Sequence, residues 1–508
     1  MSDYRNIGLY VAGCIGFSAL QANAGNQQKK HPHVILIMTD QQRGDALGCA
    51  GNDAVLSPNI DRLAADGYLF CNAYTATPSS TPARAGMLTG MSPWHHGLLG
   101  YGQVAEHYKY EMPQMLKELG YHTLGIGKMH WTPQDALHGF EATVIDESGR
   151  VESSYFMSDY RKWFNTQAFG LNPDSTGVEW NAHGAKAYAL PEHLHPTVWT
   201  GDQAVSVIKG YSSEQPLFLK VSFARPHSPY DPPQRIVDMY KGREIPSPMI
   251  GDWCKDMPVD AHPDKNPEAA IGNYGMEYAR NSRKYYYASV TFIDEQVGRI
   301  IEELKKKGIY EDALICFVSD HGDMLGDHNM WRKTYAYEGS AAIPFIVKLP
   351  QGMQGGLKPG GVVEAPVELR DLLPTFLDAN GAEVPEDMDG LSLLPLLENE
   401  KAPWRKYIDI EHAAAYWEDN YWCALTDGKV KYIWFFRTGQ EQLFDLSGDP
   451  NELHDLSKER ASRKLLNEMR MAMAEHLKER GEDWVKDGKT VIRKQSLLYS
   501  PNYPQKKN

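Results

Sequence analysis

The run HVILIMTD, residues 33–40, is apolar, has the length of a strand and ends on an aspartate. Apolar residues at nearly every position are typical of a parallel strand that is buried on both faces. Similar runs follow: TLGIGK (123–128), PLFLKVSF (216–223), ALICFVSD (313–320) and PFIVKLP (344–350). Helical patterns alternate with them, including SPNIDRLAADG (57–67) and SVTFIDEQVGRIIEELKKKG (289–308). The alternation predicts an α/β fold with a mostly parallel or mixed sheet sandwiched by helices.

The pattern changes beyond about residue 385. GKVKYIWFF (428–436) and QLFDLSGDPNELHDLS (442–457) are typical of antiparallel strands, and a charged helical pattern follows over 462–481. We therefore predict a catalytic domain over 25–385, a smaller α+β domain with an antiparallel sheet over 386–493, and a disordered tail over 494–508. The segments 141–200 and 228–280 have little apolar periodicity and are predicted to be insertions over the site.

The N-terminus has the features of an export signal. NIGLYVAGCIGFSAL (6–20) is apolar but too short to span a bilayer, and ANAG (22–25) offers a cleavage site after Ala24. Residues 1–24 are thus predicted to be a signal peptide, which implies export to the periplasm. VAGC, ending at Cys14, also resembles a lipoprotein box, so a lipid anchor at Cys14 is the alternative. No other stretch is long and apolar enough to cross a membrane.

Composition excludes other classes of protein. The formal charge of -14 provides no basic field for a nucleic-acid partner. The six cysteines lack CxxC spacing and are too sparse for a disulfide scaffold; Cys316, inside an apolar run, is predicted to be in the core.

Polar residues follow four of the predicted strands where each strand ends. Asp40 closes the first, Lys128 the second with His130 two residues later, His227 follows the third, and Asp320 with His321 ends the fourth. Ligands of open α/β sheets bind at the carboxyl ends of the strands. The sequence therefore predicts a site at this edge of the sheet.

Two aspartates in one site predict a divalent cation. Asp40 and Asp320 would repel each other unless a cation lay between them, and Gln41 and His321 offer a further oxygen and nitrogen. Ligation dominated by oxygen favours calcium or magnesium over zinc.

The other site residues fit the transfer of a phosphoryl or sulfuryl group. Arg84, Lys128 and Lys333 are cations suited to a tetrahedral oxyanion, and His130 and His227 are suited to proton exchange. The candidate nucleophile is Ser80 in TPSSTPARAGMLTG (77–90). Locally, Ser80 or Thr81 also fits the N-cap of a helix with Pro82 in its first turn.

Together these residues resemble a known family. Ser80-Thr81-Pro82-Ala83-Arg84 matches the Cys/Ser-x-Pro-x-Arg signature of the type I, formylglycine-dependent sulfatases of the alkaline-phosphatase superfamily. MTDQQRGD, SPNIDRLAADG, GKMH, RPHSPYDPP, SDHGDMLGDH and LFDLSGDPNELHDL also fit, in that order. The resemblance covers nearly the whole chain after the signal peptide and implies a sulfuric ester hydrolase.

The resemblance also implies a mechanism. Ser80 would be oxidised to formylglycine by a radical maturation enzyme of the serine type, and its hydrate would be the nucleophile. A calcium ion would be held by Asp40, Gln41, Asp320, His321 and the modified Ser80. Arg84 and Lys128 would anchor the modified residue, His130 would assist elimination, His227 would protonate the leaving alcohol, and Lys333 would contact the sulfate. Gln41 departs from relatives that carry an acid there, so the ligand set is least defined at this position.

The expected reaction is hydrolysis of a sulfate ester on a sugar from a glycosaminoglycan or similar polysaccharide. The alternatives are a phosphonate monoester hydrolase or phosphodiesterase on the same fold, and a catalytically silent glycan-binding protein. Several residues are candidates for sugar contacts, each equally compatible with a core or surface position: Trp180, His183, His193, His195, Trp199, His328, Arg332 and His412.

Overall fold

The structure is a computed structural model that describes residues 31–150, 155–254, 266–353 and 355–504. The predicted signal peptide, its cleavage site after Ala24 and the alternative lipid anchor at Cys14 lie outside these residues. In the described ranges no helix is both long and apolar enough to cross a bilayer.

A mixed sheet forms the centre of the N-terminal part. The strands of this part are β1 (His33–Asp40), β2 (Tyr68–Phe70), β3 (Ala73–Tyr74), β4 (His122–Gly127), β5 (Ala142–Ile145), β6 (Leu217–Pro226), β7 (Ala313–Ser319), β8 (Phe345–Lys348), β9 (Gly361–Val363) and β10 (Val367–Glu368). The large sheet has the order β5-β4-β6-β1-β7-β8-β2-β9, and β3 pairs with β10 separately. Only β8 runs antiparallel to its neighbours among the described strands of the large sheet. All five predicted strands form, and the predicted fold class is confirmed.

Helices cover both faces of this sheet. Those of the described residues are α1 (Pro58–Asp66), α2 (Ser80–Thr89), α3 (Pro93–His96), α4 (Met112–Glu118), α5 (Asp159–Gln167), α6 (Pro196–Gly210), α7 (Gln234–Asp238), α8 (Met276–Lys306), α9 (Glu338–Ala341), α10 (Leu372–Ala379), α11 (Leu394–Glu398) and α12 (Arg463–Leu477). Successive side chains of β1 point to opposite faces, so Leu36 and Met38 pack with α2 and α10 while Ile35 and Ile37 pack with α1, α6 and α8. This alternation explains why the strand is apolar throughout.

The start of α1 is held by a side chain from a distant helix. Ser57 occupies the N-cap position, but its hydroxyl donates to Asp61 Oδ1 instead of capping the helix. The carboxylate of Asp294, on α8, accepts from the backbone N–H groups of Asn59 and Ile60. A distant side chain thus satisfies the free N–H groups of α1.

A second, antiparallel sheet follows: β11 (Ile408–His412), β12 (Trp422–Thr426), β13 (Val430–Phe435) and β14 (Glu441–Asp445), hydrogen-bonded in that order, with a short pair β15 (Val485–Lys486) and β16 (Lys489–Thr490). Helix α12 packs its apolar side against this sheet through Met469 and Met473. Leu396 and Leu397 still belong to the core of the large sheet, so the change of core lies after residue 397, later than the predicted boundary at 385.

The predicted disorder of residues 494–508 is wrong for the part that the structure describes. Leu99 N donates to Leu498 O at 2.9 Å and Ser500 N donates to Gly97 O at 2.8 Å. The Ser500 hydroxyl also donates to Trp94 O at 2.6 Å. The segment 498–500 therefore pairs with 97–99 of the N-terminal part, a long-range partner that local composition does not reveal.

Candidate active site

The predicted site residues converge at the carboxyl edge of the large sheet. Asp40 is the last residue of β1, and Lys128, His227 and Asp320 each directly follow a neighbouring strand. Ser80 and Arg84 lie on the first turns of α2, whose N-terminus points to the same edge through the contacts below. The prediction of a site at this edge agrees with these positions.

Arg84 lies between the two aspartates. Its Nη2 is 3.1 Å from Asp40 Oδ2 and 3.0 Å from Asp320 Oδ2, and all three side chains are fully buried. Its Nη1 donates to the Lys128 carbonyl at 2.6 Å. Arg84 therefore offsets part of the repulsion between the two aspartates within the chain itself.

Other observations support a metal ion. Asp40, Asp320 and His321 present ligand atoms that all lie within 4.8 Å of one another. Asp40 Oδ1 is buried and has no hydrogen-bond partner among the described residues, 4.0 Å from His321 Nε2. His321 Nδ1 lies 2.9 Å from the Gly322 carbonyl, which fixes the proton on Nδ1 and leaves the Nε2 lone pair toward the site. The donor set fits a cation.

Gln41 is held differently from the other proposed ligands. Its backbone N–H donates to Asp320 Oδ1 at 2.9 Å, and its side-chain Nε2 donates to Asp323 Oδ2 at 2.5 Å. Its Oε1 accepts from Lys333 Nζ at 2.9 Å. A carbonyl oxygen has two lone pairs, so this contact leaves one for a metal ion. Gln41 stays a predicted ligand, with Asp323 fixing the orientation of its amide.

The serine lies at the start of α2, one position inside the helix. Ser79 is the N-cap residue, so the predicted cap at Ser80 or Thr81 is wrong. Ser79 Oγ does not cap the helix either, because it lies 2.8 Å from His412 Nε2. Ser80 Oγ lies 3.0 Å from His321 Nε2 and donates to Asp40 Oδ2 at 3.3 Å. The candidate nucleophile therefore shares its neighbours with the candidate metal ion.

Lys128 reaches the site because the chain turns sharply before it. Gly127 has φ +85, and a Cβ there would lie 2.1 Å from the Ser222 carbonyl oxygen, so only glycine fits. Lys128 Nζ then lies 2.7 Å from Asp40 Oδ2. Burial alone would raise the pKa of Asp40, but the charges of Lys128 and Arg84 outweigh it and hold that pKa well below its usual range. Asp40 is therefore ionised.

The two histidines are neutral in the free protein. Burial and the neighbouring Arg150 and Lys128 hold the pKa of His130 well below its usual value. Burial, Lys333 and Lys128 do the same for the pKa of His227. His227 Nδ1 lies 2.8 Å from the Ser228 carbonyl, which leaves Nε2 toward the site. Burial also lowers the pKa of Lys333 to about 8.

Three buried residues support the site and were not predicted in these roles. Glu147 Oε1 accepts from the backbone N–H groups of Met129 and His130, which positions the turn after β4. Asp323 orients Gln41, and His412 holds Ser79. Asp323 lies within the SDHGDMLGDH motif, but the sequence did not indicate that its partner is Gln41. His412 was predicted only as a candidate for sugar contacts, and no sequence signal linked Glu147 to the site.

The residues proposed for sugar contacts separate by position. Trp180 stacks on His227 with ring centroids 6.2 Å apart, and Arg332 directly precedes Lys333. His183, Trp199 and His328 are buried against other rings, and His195 caps α6 by accepting from Thr197 N. The predicted insertion over 141–200 contacts the site through Trp180.

Fold and site define a class of protein: a hydrolase of esters of tetrahedral oxyanions, with a serine, carboxylates and cations at a buried sheet edge. The sulfatase family matches residues 32–382, and the C-terminal family of N-sulphoglucosamine sulphohydrolase matches residues 326–479. The chain belongs to the sulfatase family and is a sulfuric ester hydrolase. The alternative of a catalytically silent glycan-binding protein is therefore not supported.

Individual relatives agree with this assignment. An arylsulfatase of Clostridium perfringens is 37% identical over 475 residues, 91% of this chain and 97% of that protein. An N-acetylglucosamine-6-O-sulfatase of Bacteroides thetaiotaomicron is 27% identical over 501 residues, 86% of this chain and 84% of that protein. The phosphonate monoester hydrolase SpPMH from Silicibacter pomeroyi has the same fold, with TM-score 0.75, 23% identity and coverage of 91% and 99%.

Proposed function

We propose that the protein hydrolyses the sulfate ester of a sugar, with an oxidised Ser80 as nucleophile beside a calcium ion. Sulfate ester and water give the alcohol, sulfate and a proton. The observation that carries the proposal is the position of Ser80 Oγ, 3.0 Å from His321 Nε2 and 3.3 Å from Asp40 Oδ2, at a site that also holds Arg84 and Lys128.

Asp40, Asp320 and His321 would hold the metal ion, with Gln41 and the modified Ser80 completing the set. The unpartnered Asp40 Oδ1 supports this, because a buried carboxylate oxygen without a donor is otherwise destabilising. When bound, a calcium ion withdraws charge from the oxygens of the nucleophile and the sulfate. Most of the proposed ligand atoms are oxygens, which favours calcium over zinc.

Ser80, once oxidised to formylglycine and hydrated, supplies one hydroxyl to attack sulfur and a second whose deprotonation allows sulfate to be expelled. Arg84 and Lys128 hold the carboxylates and the modified residue in place. His130, whose Nδ1 has no partner among the described residues, would accept the proton released in that expulsion. A serine-type radical maturation enzyme is the partner that the oxidation requires.

His227 would protonate the leaving alcohol from Nε2, and Lys333 would contact the sulfate. His227 is neutral in the free protein because of burial and two nearby lysines, which lower its pKa. A bound sulfate ester adds negative charge beside these groups and raises that pKa. Protonation of His227 is thereby coupled to substrate binding.

A sugar substrate is supported by a relative and by the entrance to the site. The N-acetylglucosamine-6-O-sulfatase aligns over most of the chain. The rings of Tyr101, Trp180 and Tyr416 are partly exposed there, and aromatic faces pack against the apolar faces of sugars. We also propose that the chain is exported to the periplasm, with Gly25 or a lipidated Cys14 as its first residue. The mass of the mature N-terminal peptide distinguishes the two.

The first experiment is the mass of the tryptic peptide 63–84 from protein purified from its own host. Oxidation of Ser80 to the aldehyde removes two hydrogens, so we expect a loss of about two mass units. The Ser80→Ala protein is the matched control and should show neither the loss nor turnover of 4-nitrophenyl sulfate. An unmodified Ser80 in active protein would refute the proposed nucleophile.

A phosphonate monoester hydrolase is the second candidate, supported by the fold shared with SpPMH. Sulfate and phosphonate monoesters share a tetrahedral centre and differ mainly in charge. The ratio of kcat/KM for 4-nitrophenyl sulfate to that for 4-nitrophenyl phenylphosphonate decides between them. We expect the sulfate to be preferred. A preference for the phosphonate would favour a phosphonate monoester hydrolase over a sulfatase.

A further inference from the structure

A continuous chain of contacts runs along the entrance to the site, from His227 to the residue before Ser80. We call it the rim, and its members are Trp180, Asn181, Arg332, Tyr416, Tyr101 and His412. At one end Trp180 stacks on His227, and the next residue, Asn181, accepts from Arg332 Nη2 through its carbonyl oxygen at 2.6 Å. The hydroxyls of Tyr416 and Tyr101 are 2.9 Å apart. At the other end His412 contacts Ser79. Tyr101 and His412 are in ring contact, with centroids 5.5 Å apart.

The rim lies on the solvent side of the site. Trp180, Tyr101 and Tyr416 are each about two-fifths exposed, whereas Ser80 and its partners are buried. A substrate whose sulfate reaches Ser80 therefore places the rest of its alcohol against the rim.

Arg332 is the charged member of the rim. Its side chain is more than nine-tenths buried, and its Nε has no hydrogen-bond partner among the described residues. The sole described carboxylate within ion-pair distance is Glu268, at 3.4 Å, and it is partly exposed. Burial lowers the pKa of Arg332, but Tyr416, Tyr101 and Glu268 outweigh it, so the guanidinium stays charged. Arg332 thus has an N–H donor available for a ligand, and Glu268 neutralises its charge only weakly.

The backbone holds Arg332 beside the catalytic lysine. Arg332 has φ +68 and Thr334 has φ +81, so Lys333 lies between two residues in the left-handed region. Asp323 Oδ1 accepts from Arg332 N at 3.0 Å, and Arg332 O accepts from Met324 N at 2.7 Å. Such conformations are unfavourable for residues other than glycine and persist where the surrounding structure fixes them. Lys333 therefore reaches inward to Gln41 while Arg332 reaches Asn181 and Tyr416 on the rim.

We propose that Arg332, together with the hydroxyls of Tyr416 and Tyr101, binds a second anionic group on the alcohol part of the substrate. The group is a carboxylate or a second sulfate, because both present the paired oxygens that a guanidinium binds in two parallel hydrogen bonds. A cationic alcohol is repelled by the same charge. The inference rests on the proposed function, since it concerns the substrate of that same site.

The test compares two aryl sulfates, 4-nitrophenyl sulfate and 3-carboxy-4-nitrophenyl sulfate. The mature protein should prefer the carboxylate probe in kcat/KM, and Arg332→Gln should reduce that preference about 10- to 100-fold, the usual effect of losing a charge-assisted pair. Arg235→Gln is the control, because Arg235 is an exposed arginine paired with Glu192 and Glu295. It should keep the full preference. Equal loss on both probes in Arg332→Gln would make Arg332 a structural support only and overturn the inference.

Binding separates this inference from the proposed function. In the Ser80→Ala background, calorimetric titration should give tighter binding of the carboxylate probe, and adding Arg332→Gln should abolish the difference. If the mature protein hydrolyses neither probe while the difference in binding is present, the proposed function fails and the anion subsite stands. If hydrolysis proceeds without any difference in binding, the subsite is refuted and the proposed function stands.

Discussion

At the scale of single residues, His227 is the proposed general acid, and the contact of its Nδ1 with the Ser228 carbonyl at 2.8 Å leaves Nε2 for that role. We predict that His227→Asn lowers kcat/KM for a sugar sulfate by about 10²- to 10⁴-fold, the usual contribution of a general acid. For 4-nitrophenyl sulfate the loss should be about tenfold or less, since nitrophenolate leaves without a proton. Steady-state rates on the two substrates check this. An equal loss on both would show that His227 has another role.

Lys220, on β6, has a buried amino group that the proposed mechanism does not use. Its Nζ contacts Met129 Sδ at 3.4 Å and lies over the Trp131 ring, and burial holds its pKa well below the usual value. We predict that Lys220→Met stabilises the protein by about 1–4 kcal/mol, as when a buried charge gives way to an apolar side chain. Urea denaturation measures it. Lys209→Met, at an exposed lysine of α6, should give no gain.

The gain from Lys220→Met should depend on pH. A lysine whose pKa is lowered by folding binds fewer protons in the folded chain than in the unfolded one, so its penalty to folding declines as pH rises toward the unfolded pKa. The stabilisation should therefore be larger at about pH 7 than at about pH 9. A gain that is constant over this range would indicate that Lys220 is charged in the folded protein.

A site residue can be predicted from the sequence when a local pattern, such as the end of an apolar strand, fixes its position in the fold. Asp40, Lys128, His227 and Asp320 follow apolar strands, and strand ends meet at one sheet edge whatever the loops do. Tyr101 and Tyr416 carry no such signal, because they lie on loops 315 residues apart that meet only in the folded chain.

At the scale of elements, β1, β7 and α2 meet at the candidate metal ligands. We predict that EGTA lowers the Tm and that calcium restores it. Calcium at 100 to 1,000 times its Kd contributes about 3–4 kcal/mol to the free energy of unfolding. Differential scanning calorimetry measures the shift. Asp40→Asn should abolish the calcium response, and Asp53→Asn, at an exposed aspartate, should retain it. A calcium response that survives in Asp40→Asn would place the ion elsewhere.

Elements were predictable where the pattern is continuous and less so at their ends. Strand β1 is apolar throughout because both of its faces are buried, and that pattern needs no knowledge of its neighbours. The caps of α1 and α2 depend on tertiary partners. Asp294 accepts from the free N–H groups at the start of α1, and His412 contacts Ser79, the N-cap residue of α2, so the predicted cap at Ser80 or Thr81 was wrong.

At the scale of the whole molecule, the C-terminal segment 498–500 pairs with residues 97–99, directly before Tyr101 of the rim. We predict that truncation after Lys494 lowers the free energy of unfolding by about 2–4 kcal/mol, from at least three lost hydrogen bonds of about 1 kcal/mol each and the apolar contacts of Leu498. Ser500→Ala alone should lose about 1 kcal/mol. Urea denaturation of both proteins checks the order. Equal stability of the truncated and full chains would show that this pairing contributes nothing.

The burial of Ser80 has a consequence for the order of events in the life of the chain. Its side chain is only 2% exposed, with Arg84 and the two aspartates packed around it. If Ser80 is oxidised as proposed, the modifying enzyme would have to reach it before the protein folds, because Ser80 is buried in the folded chain. A chain that folded first would keep an unmodified Ser80, so the fraction of active protein would depend on the rate of modification relative to the rate of folding.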